Sequence, residues 1–124
     1  GPYEYGNTEY WIPGRQCLRA SRPVPPDGAT DVKLDADLMW LGGYRAERHH
    51  VYFGLNKTAV HAATRNSPAY RKTQANNIFA PGLLKANTTY YWRLDAVKDT
   101  SIIRGHVWSF TTGSELGNDS EDTK

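Results

Sequence analysis

The side chains that could do acid–base chemistry or bind a metal are few in this chain, and their spacing does not assemble a catalytic set. The four histidines are His49, His50, His61 and His106. His49 and His50 are adjacent on a predicted strand, where neighbouring side chains point to opposite faces, so they cannot hold one ion together. The sequence has no serine-centred elbow, paired-carboxylate motif or phosphate-binding loop. We therefore predict a protein that is not an enzyme and that has no cofactor and no metal site.

Cysteine and aspartate positions do not change this expectation. Cys17 is the only cysteine, which excludes an internal disulfide and a cysteine-based zinc cluster. We interpret it as a small, partly buried apolar side chain. Calcium prefers clustered oxygen ligands, but the spacing of the early aspartates matches no known loop motif, so we assign them to turns and solvated faces. These residues are Asp27, Asp31, Asp35 and Asp37.

The strongest functional hypothesis comes from segment 89–97, where large apolar residues alternate with polar-faced ones. The first set is Tyr90, Trp92 and Leu94, and the second is Tyr91, Arg93 and Asp95. A period of two residues is typical of a strand with one buried and one solvated face. A second aromatic run, at 107–112, follows after a polar turn. Two such strands need a second sheet to cover their apolar side.

The solvated side of this predicted sheet is our candidate ligand surface. If the runs at 49–53, 89–97 and 107–112 are neighbours with 89–97 in the centre, their outward residues share one surface. Tyrosines could stack on sugar rings there, and charged groups could bond sugar hydroxyls. The alternative is that Tyr52 and Tyr91 form an ordinary cross-strand pair that stabilises the sheet by about 0.2–1 kcal/mol. The predicted ligand-binding residues are His50, Tyr52, Tyr91, Arg93 and Asp95.

Three other aromatic residues offer alternative surfaces. Tyr44, in the loop with Gly42 and Gly43, and Tyr70 could supply a site at the loop end of the domain. Trp11 and the tyrosines around it could instead dock on a neighbouring module, because exposed aromatic clusters often mark such interfaces.

The strand signals along the chain predict an all-β fold. Prolines and an Asp-Gly turn in segment 22–29 mark the start of the domain. Segment 57–64 is either a short strand or a single helical turn. The alternating runs lie at 36–40, 49–53, 73–79, 89–97 and 107–112. About seven short strands without a long helical period indicate an antiparallel β-sandwich.

The two ends of the chain differ from the segment between them. Residues 1–20 mix aromatic, acidic and small residues without a clean period, and residues 113–124 hold four acidic residues against one lysine. We predict an aromatic N-terminal arm or linker at 1–21, the sandwich at 22–112 and an acidic flexible tail at 113–124.

Composition narrows the possible partners. No run approaches the roughly 18 apolar residues of a membrane helix, so we expect no membrane partner. The net charge is +2, and the sequence has no basic run or stripe, so we expect no nucleic-acid partner. An anionic polysaccharide is compatible with the mild positive charge of the chain outside its acidic C-terminal segment. We expect a monomer.

Several ordered motifs resemble a fibronectin type III-like module of the kind found in large secreted bacterial proteins, often polysaccharide-degrading enzymes. They are Pro25–Val32, Leu38–Trp40, Val51–Gly54, Leu84–Leu94 and Val107–Thr112. The resemblance implies a core tryptophan at Trp40, a structural leucine at Leu84 and a corner tyrosine at Tyr90. It also implies a secreted location, or alternatively a periplasmic or cell-surface one.

For function, the resemblance implies a spacer, a packing partner of a catalytic domain or a sugar-binding unit. We therefore expect a non-catalytic accessory module of a secreted carbohydrate-active enzyme, which binds polysaccharide or positions the catalytic domain. The alternative is a protein-interaction, adhesion or spacer module without glycan affinity.

Overall fold

The computed structural model describes residues 17–117, which form nine strands and one short helix. The strands are β1 (Ser21–Val24), β2 (Ala29–Val32), β3 (Leu38–Leu41), β4 (Arg48–Gly54), β5 (Tyr70–Gln74), β6 (Ile78–Phe79), β7 (Thr89–Lys98), β8 (Ser101–Ile103) and β9 (Val107–Thr112). The helix α1 (Lys57–Ala62) lies between β4 and β5. It is far too short to cross a membrane.

The strands form two sheets. The small sheet has the order β1-β3-β6, and the large sheet has the order β2-β9-β7-β4-β5, with β8 also paired to β7. All pairs are antiparallel except β2 with β9, which is parallel. The predicted all-β class is confirmed, and β7 lies between β4 and β9 as expected. The expected number of about seven strands is not confirmed, because the described residues contain nine.

The core lies between the two sheets and is built mainly from the inward residues of β3, β4, β7 and β9. The predicted inward residues of β7 are all buried. The Tyr90 ring stacks on both Phe53 and Phe110, with centroid distances of 5.2 and 5.7 Å, in a cluster of three rings. The Trp92 ring meets the edge of Trp108 at 5.0 Å. Large aromatic rings therefore supply most of the packing in a chain of this size.

The residues singled out through the fibronectin resemblance lie in the core. Trp40 and Leu84 are buried. The hydroxyl oxygen of Tyr90 accepts a hydrogen bond from the Lys85 backbone N–H at 2.9 Å, which ties the strand to the loop before it. These positions agree with the structural roles that the resemblance implies.

The packed region extends beyond the expected limits at 22 and 112. Cys17 and Ala20 are buried, and β1 begins at Ser21. After β9, the Gly113 N–H donates to Val32 O and the Leu34 N–H donates to Glu115 O. The rest of the predicted arm and tail, with Trp11, lies outside the described residues.

Candidate functional site

The structure brings the five predicted ligand-binding residues together, but it does not expose them. His50, Tyr52, Arg93 and Asp95 keep only 2–5% of their surface accessible, and Tyr91 is half-buried. The expectation that they form a solvated face is therefore wrong. The physical reason is that α1 packs over this side of the large sheet, where Val60 and Ala63 form one apolar cluster with Tyr52, Tyr91 and the neighbouring Tyr70 of β5.

Arg93 and Asp95 form a buried bidentate ion pair at the centre of this covered face. Arg93 Nε donates to Asp95 Oδ1 and Arg93 Nη2 donates to Asp95 Oδ2, both at 2.9 Å. The two residues lie two positions apart on β7, so their side chains share one side of the sheet. The guanidinium carbon also lies 4.0 Å from the centre of the Tyr52 ring, a distance at which cation and ring attract each other.

The remaining donors of Arg93 bind the end of α1. Arg93 Nη1 donates to Val60 O at 2.7 Å and to His61 O at 3.0 Å, and Nη2 donates to Ala63 O at 3.0 Å. The last carbonyls of a helix have no partner within the helix, and a cation there is favourable. Arg93 therefore fixes α1 on the sheet.

Asp95 binds the loop on the other side of the ion pair. Its Oδ1 accepts a hydrogen bond from the Gly105 backbone N–H at 3.1 Å. Gly105 lies so close to β7 that an added Cβ would collide with the carbonyl oxygen of Leu94. The ion pair thus connects α1 to the loop that precedes β9.

The other predicted residues also have protein partners. His50 Nδ1 lies 2.6 Å from Thr73 Oγ1, and the Tyr70 hydroxyl lies 2.6 Å from the same oxygen. Burial, with a contribution from the charge of Arg65, lowers the pKa of His50. Burial, with a contribution from Asp95, raises the pKa of Tyr52. Neither group is placed to act on a molecule from solvent.

The alternative aromatic residues do not form one surface. Tyr70, at the start of β5, packs edge-on against Tyr52 at 5.6 Å. Tyr44 lies in the loop between β3 and β4, with the Arg45 guanidinium carbon 5.1 Å from its ring centre.

His49 is buried on the inward side of β4 next to Trp40, and burial lowers its pKa to about 4. It lies beside the core, on the opposite face of β4 from His50, as the alternation along the strand predicts.

A cleft of about 600 Å³ opens between α1 and the loop that precedes β9. Five of its lining side chains are basic, and none of the described lining residues is acidic. Arg19 Nη1 lies 3.0 Å from Nε2 of His106 within the cleft. We call this feature the basic cleft; its polar lining residues are Arg19, Lys57, Thr58, His61, Arg104 and His106.

The basic cleft and the buried ion pair share their walls. His61 lines the cleft with its side chain and accepts a hydrogen bond from Arg93 with its backbone, and Gly105 lines the cleft and donates to Asp95. Sequence reasoning missed the cleft, because its basic residues are distant in the chain and form no run. The one available signal in the sequence is the mild positive net charge of the residues that precede the acidic C-terminal segment.

Within residues 17–117, no group of three or more His, Cys, Asp or Glu side chains is arranged to hold a metal ion.

Comparison of the chain with protein-family models, curated proteins and solved structures gives no match. The fibronectin type III-like resemblance consequently stays a prediction.

Proposed function

We propose that the protein is a non-catalytic, fibronectin type III-like accessory module of a secreted bacterial carbohydrate-active enzyme, and that it binds polysaccharide in the basic cleft. The observation that carries this proposal is the cleft itself. It falls within the 300–1,000 Å³ typical of ligand sites, and its polar wall is made mainly of hydrogen-bond donors. Hydroxyl, ring and carboxylate oxygens of a sugar chain can accept from such donors.

The sheet arrangement supports the fibronectin type III-like part of the proposal. Two sheets enclose an aromatic core, β7 is central to the larger one, and the Tyr90 hydroxyl bonds to the preceding loop. A corner tyrosine of this kind is typical of immunoglobulin-like sandwiches.

The buried network supports binding rather than catalysis. The charged groups beneath the cleft, Arg93 and Asp95, bond to each other and to backbone atoms of α1 and Gly105. An active site needs a group that is placed to react with its substrate, and these two are occupied in holding the fold.

The site can be tested by mapping amide resonances with ¹⁵N-labelled protein. Soluble neutral and acidic polysaccharides are first screened for retardation of the protein in native gels. A retarding polysaccharide, cut to oligosaccharides, should shift the amides of α1 and residues 104–107. The amides of β1, β3 and β6 serve as the internal control and should not shift. Absence of retardation by every polysaccharide at millimolar sugar concentration, or shifts confined to the small sheet, would overturn the proposal.

A second candidate function is docking to a neighbouring domain, and the outer side of the small sheet favours it. Val24, Met39 and Ile78 are 41–45% exposed and lie side by side across the three strands, with Val24 opposite Met39 and Met39 opposite Ile78. Exposed contiguous apolar side chains often mark interaction surfaces. If this candidate is right, including the adjoining sequence of the parent chain should raise the unfolding free energy, and Met39→Lys should remove that gain. An unchanged unfolding free energy in the longer chain would contradict it.

A further inference from the structure

We infer that the ligand of the basic cleft is an acidic polysaccharide, whose carboxylate or sulfate groups bind between Lys57 and Arg104. This inference rests on the proposed function and narrows its substrate class. Lys57 comes from the first turn of α1 and Arg104 from the loop before β9, so the two cations line the cleft from two different elements.

Two of the cations that line the cleft have no carboxylate partner in the part of the chain that the structure describes. Lys57 and Arg104 are exposed, and neither has an ion pair within residues 17–117. Like charges that share a concave surface repel each other, and a cleft lined by one sign of charge focuses its field outward. An anionic ligand would relieve this repulsion, whereas a neutral sugar would leave it in place. Hydrogen bonds from Arg or Lys to a carboxylate or sulfate are also stronger than those to a hydroxyl.

The buried ion pair holds the walls of the cleft before any ligand binds. Arg93 bonds the last carbonyls of α1, and Asp95 bonds Gly105, the neighbour of Arg104. A wall that is already ordered loses little conformational freedom on binding, which raises affinity. The spacing of the two cations is therefore set by the fold.

The lining chemistry favours a polysaccharide over a nucleic acid. Proteins that bind single strands commonly stack bases on exposed aromatic rings along a basic groove. The described lining holds no Trp, Tyr or Phe side chain, and its only rings are the imidazoles of His61 and His106. The cleft can supply charged hydrogen bonds to an acidic sugar, but within residues 17–117 its lining offers no aromatic platform for a run of bases.

The test compares polymers that differ in charge alone. The first pair is polygalacturonate and its fully methyl-esterified form, and the second is dextran sulfate and dextran. Binding is measured by isothermal titration at two salt concentrations, with a thymidine oligonucleotide as the nucleic-acid arm. We expect the charged member of at least one pair to bind ten times or more tightly than its neutral partner. The pair that shows the larger difference identifies carboxylate or sulfate as the anion.

A matched pair of variants separates a site from general attraction to a basic protein. Lys57→Gln/Arg104→Gln removes two charges from the cleft, and Lys72→Gln/Lys85→Gln removes two from exposed positions outside it. We expect at least a tenfold loss of affinity in the cleft variant and at most twofold in the control. The far-ultraviolet circular dichroism of both variants should match the parent protein.

Each other outcome has a defined meaning. Equal affinity for charged and neutral members overturns the acidic specificity but leaves the proposed polysaccharide function intact. Absence of binding to all four polymers overturns the acidic specificity, while the native-gel screen of all the polysaccharides decides the proposed function separately. Equal losses in the two variants, or tenfold tighter binding of the oligonucleotide than of either acidic polymer, overturns the inference.

Discussion

Replacing Arg93 with methionine should destabilise the protein by about 3–5 kcal/mol, the usual cost of removing one partner from a buried ion pair. The change leaves the Asp95 carboxylate buried, with the Gly105 N–H as its remaining hydrogen-bond donor within residues 17–117. It also removes the guanidinium group, which donates hydrogen bonds to the backbone carbonyls of Val60, His61 and Ala63 at the end of α1. Total stability of a domain this size is about 5–15 kcal/mol, so the loss is large but compatible with folding.

The assay is urea unfolding followed by tryptophan fluorescence at a temperature where the parent protein is fully folded. With a slope of about 1–3 kcal/mol per molar urea, the midpoint should fall by roughly 2 M. Arg48→Met is the matched control, because Arg48 lies on β4 and pairs with Glu47 at 3.3 Å on the exposed surface. Exposed pairs contribute about 0–1 kcal/mol. A cost for Arg93→Met no larger than that of the control would refute our account of the network.

A double-variant cycle separates the ion pair from the helix contacts. Arg93→Met and Asp95→Leu each leave one buried charge without its partner, whereas the double variant leaves neither. We therefore expect the double variant to cost less than the sum of the two single variants by about 2 kcal/mol or more. Additive costs would show that the two charges do not stabilise each other.

Three further predictions concern stability. Burial lowers the folded-state pKa of His49 to about 4 from 6.5, so the unfolded chain binds more protons than the folded chain between these pH values. The unfolding free energy should therefore fall by about 3 kcal/mol as the pH drops through that window. His49→Gln should flatten this pH dependence in urea titrations at pH 7 and pH 4. Tyr90→Phe removes the acceptor of the Lys85 N–H and should cost about 1 kcal/mol by thermal unfolding; no change would contradict the corner role. Gly105→Ala places a Cβ against the Leu94 carbonyl oxygen and should lower the unfolding free energy by about 1–3 kcal/mol. The same change at exposed Gly82, where a Cβ meets no atom, is the comparison that tests backbone strain alone.

The inward residues of β7 could be predicted because they depend on a period of two, whereas its place between β4 and β9 follows only from the topology of the module that the motifs resemble. Tyr90, Trp92 and Leu94 are the largest apolar residues on one side of β7, and burying them requires neighbours on that side. The chain between β4 and β7 passes through α1, β5 and β6, so the period of two does not by itself specify which strands pair. The parallel pairing of β2 with β9 could not be predicted in this way, because β2 has four residues and no alternating pattern.

Helix α1 could be predicted only as one of two alternatives. Six residues form less than two turns, too short for a helical period to emerge from the sequence. The local signal is Asn56, whose side chain accepts from the Ala59 N–H at 2.9 Å, as an N-cap does. The end of the helix depends on Arg93, far along the chain, and no local pattern shows it.

The burial of Arg93 and Asp95 shows where alternation stops being informative. Alternation indicates which side of a strand a residue occupies, but water reaches that side only if nothing packs over it. Polar residues on a covered side must satisfy each other, and residues two apart on one strand can do so because they share a face. An Arg-x-Asp pair on a central strand is therefore as compatible with burial as with exposure. Here the carbonyls at the end of α1 and the Gly105 N–H complete the remaining bonds, and the ligand surface that we propose lies farther out, at the basic side chains that line the cleft.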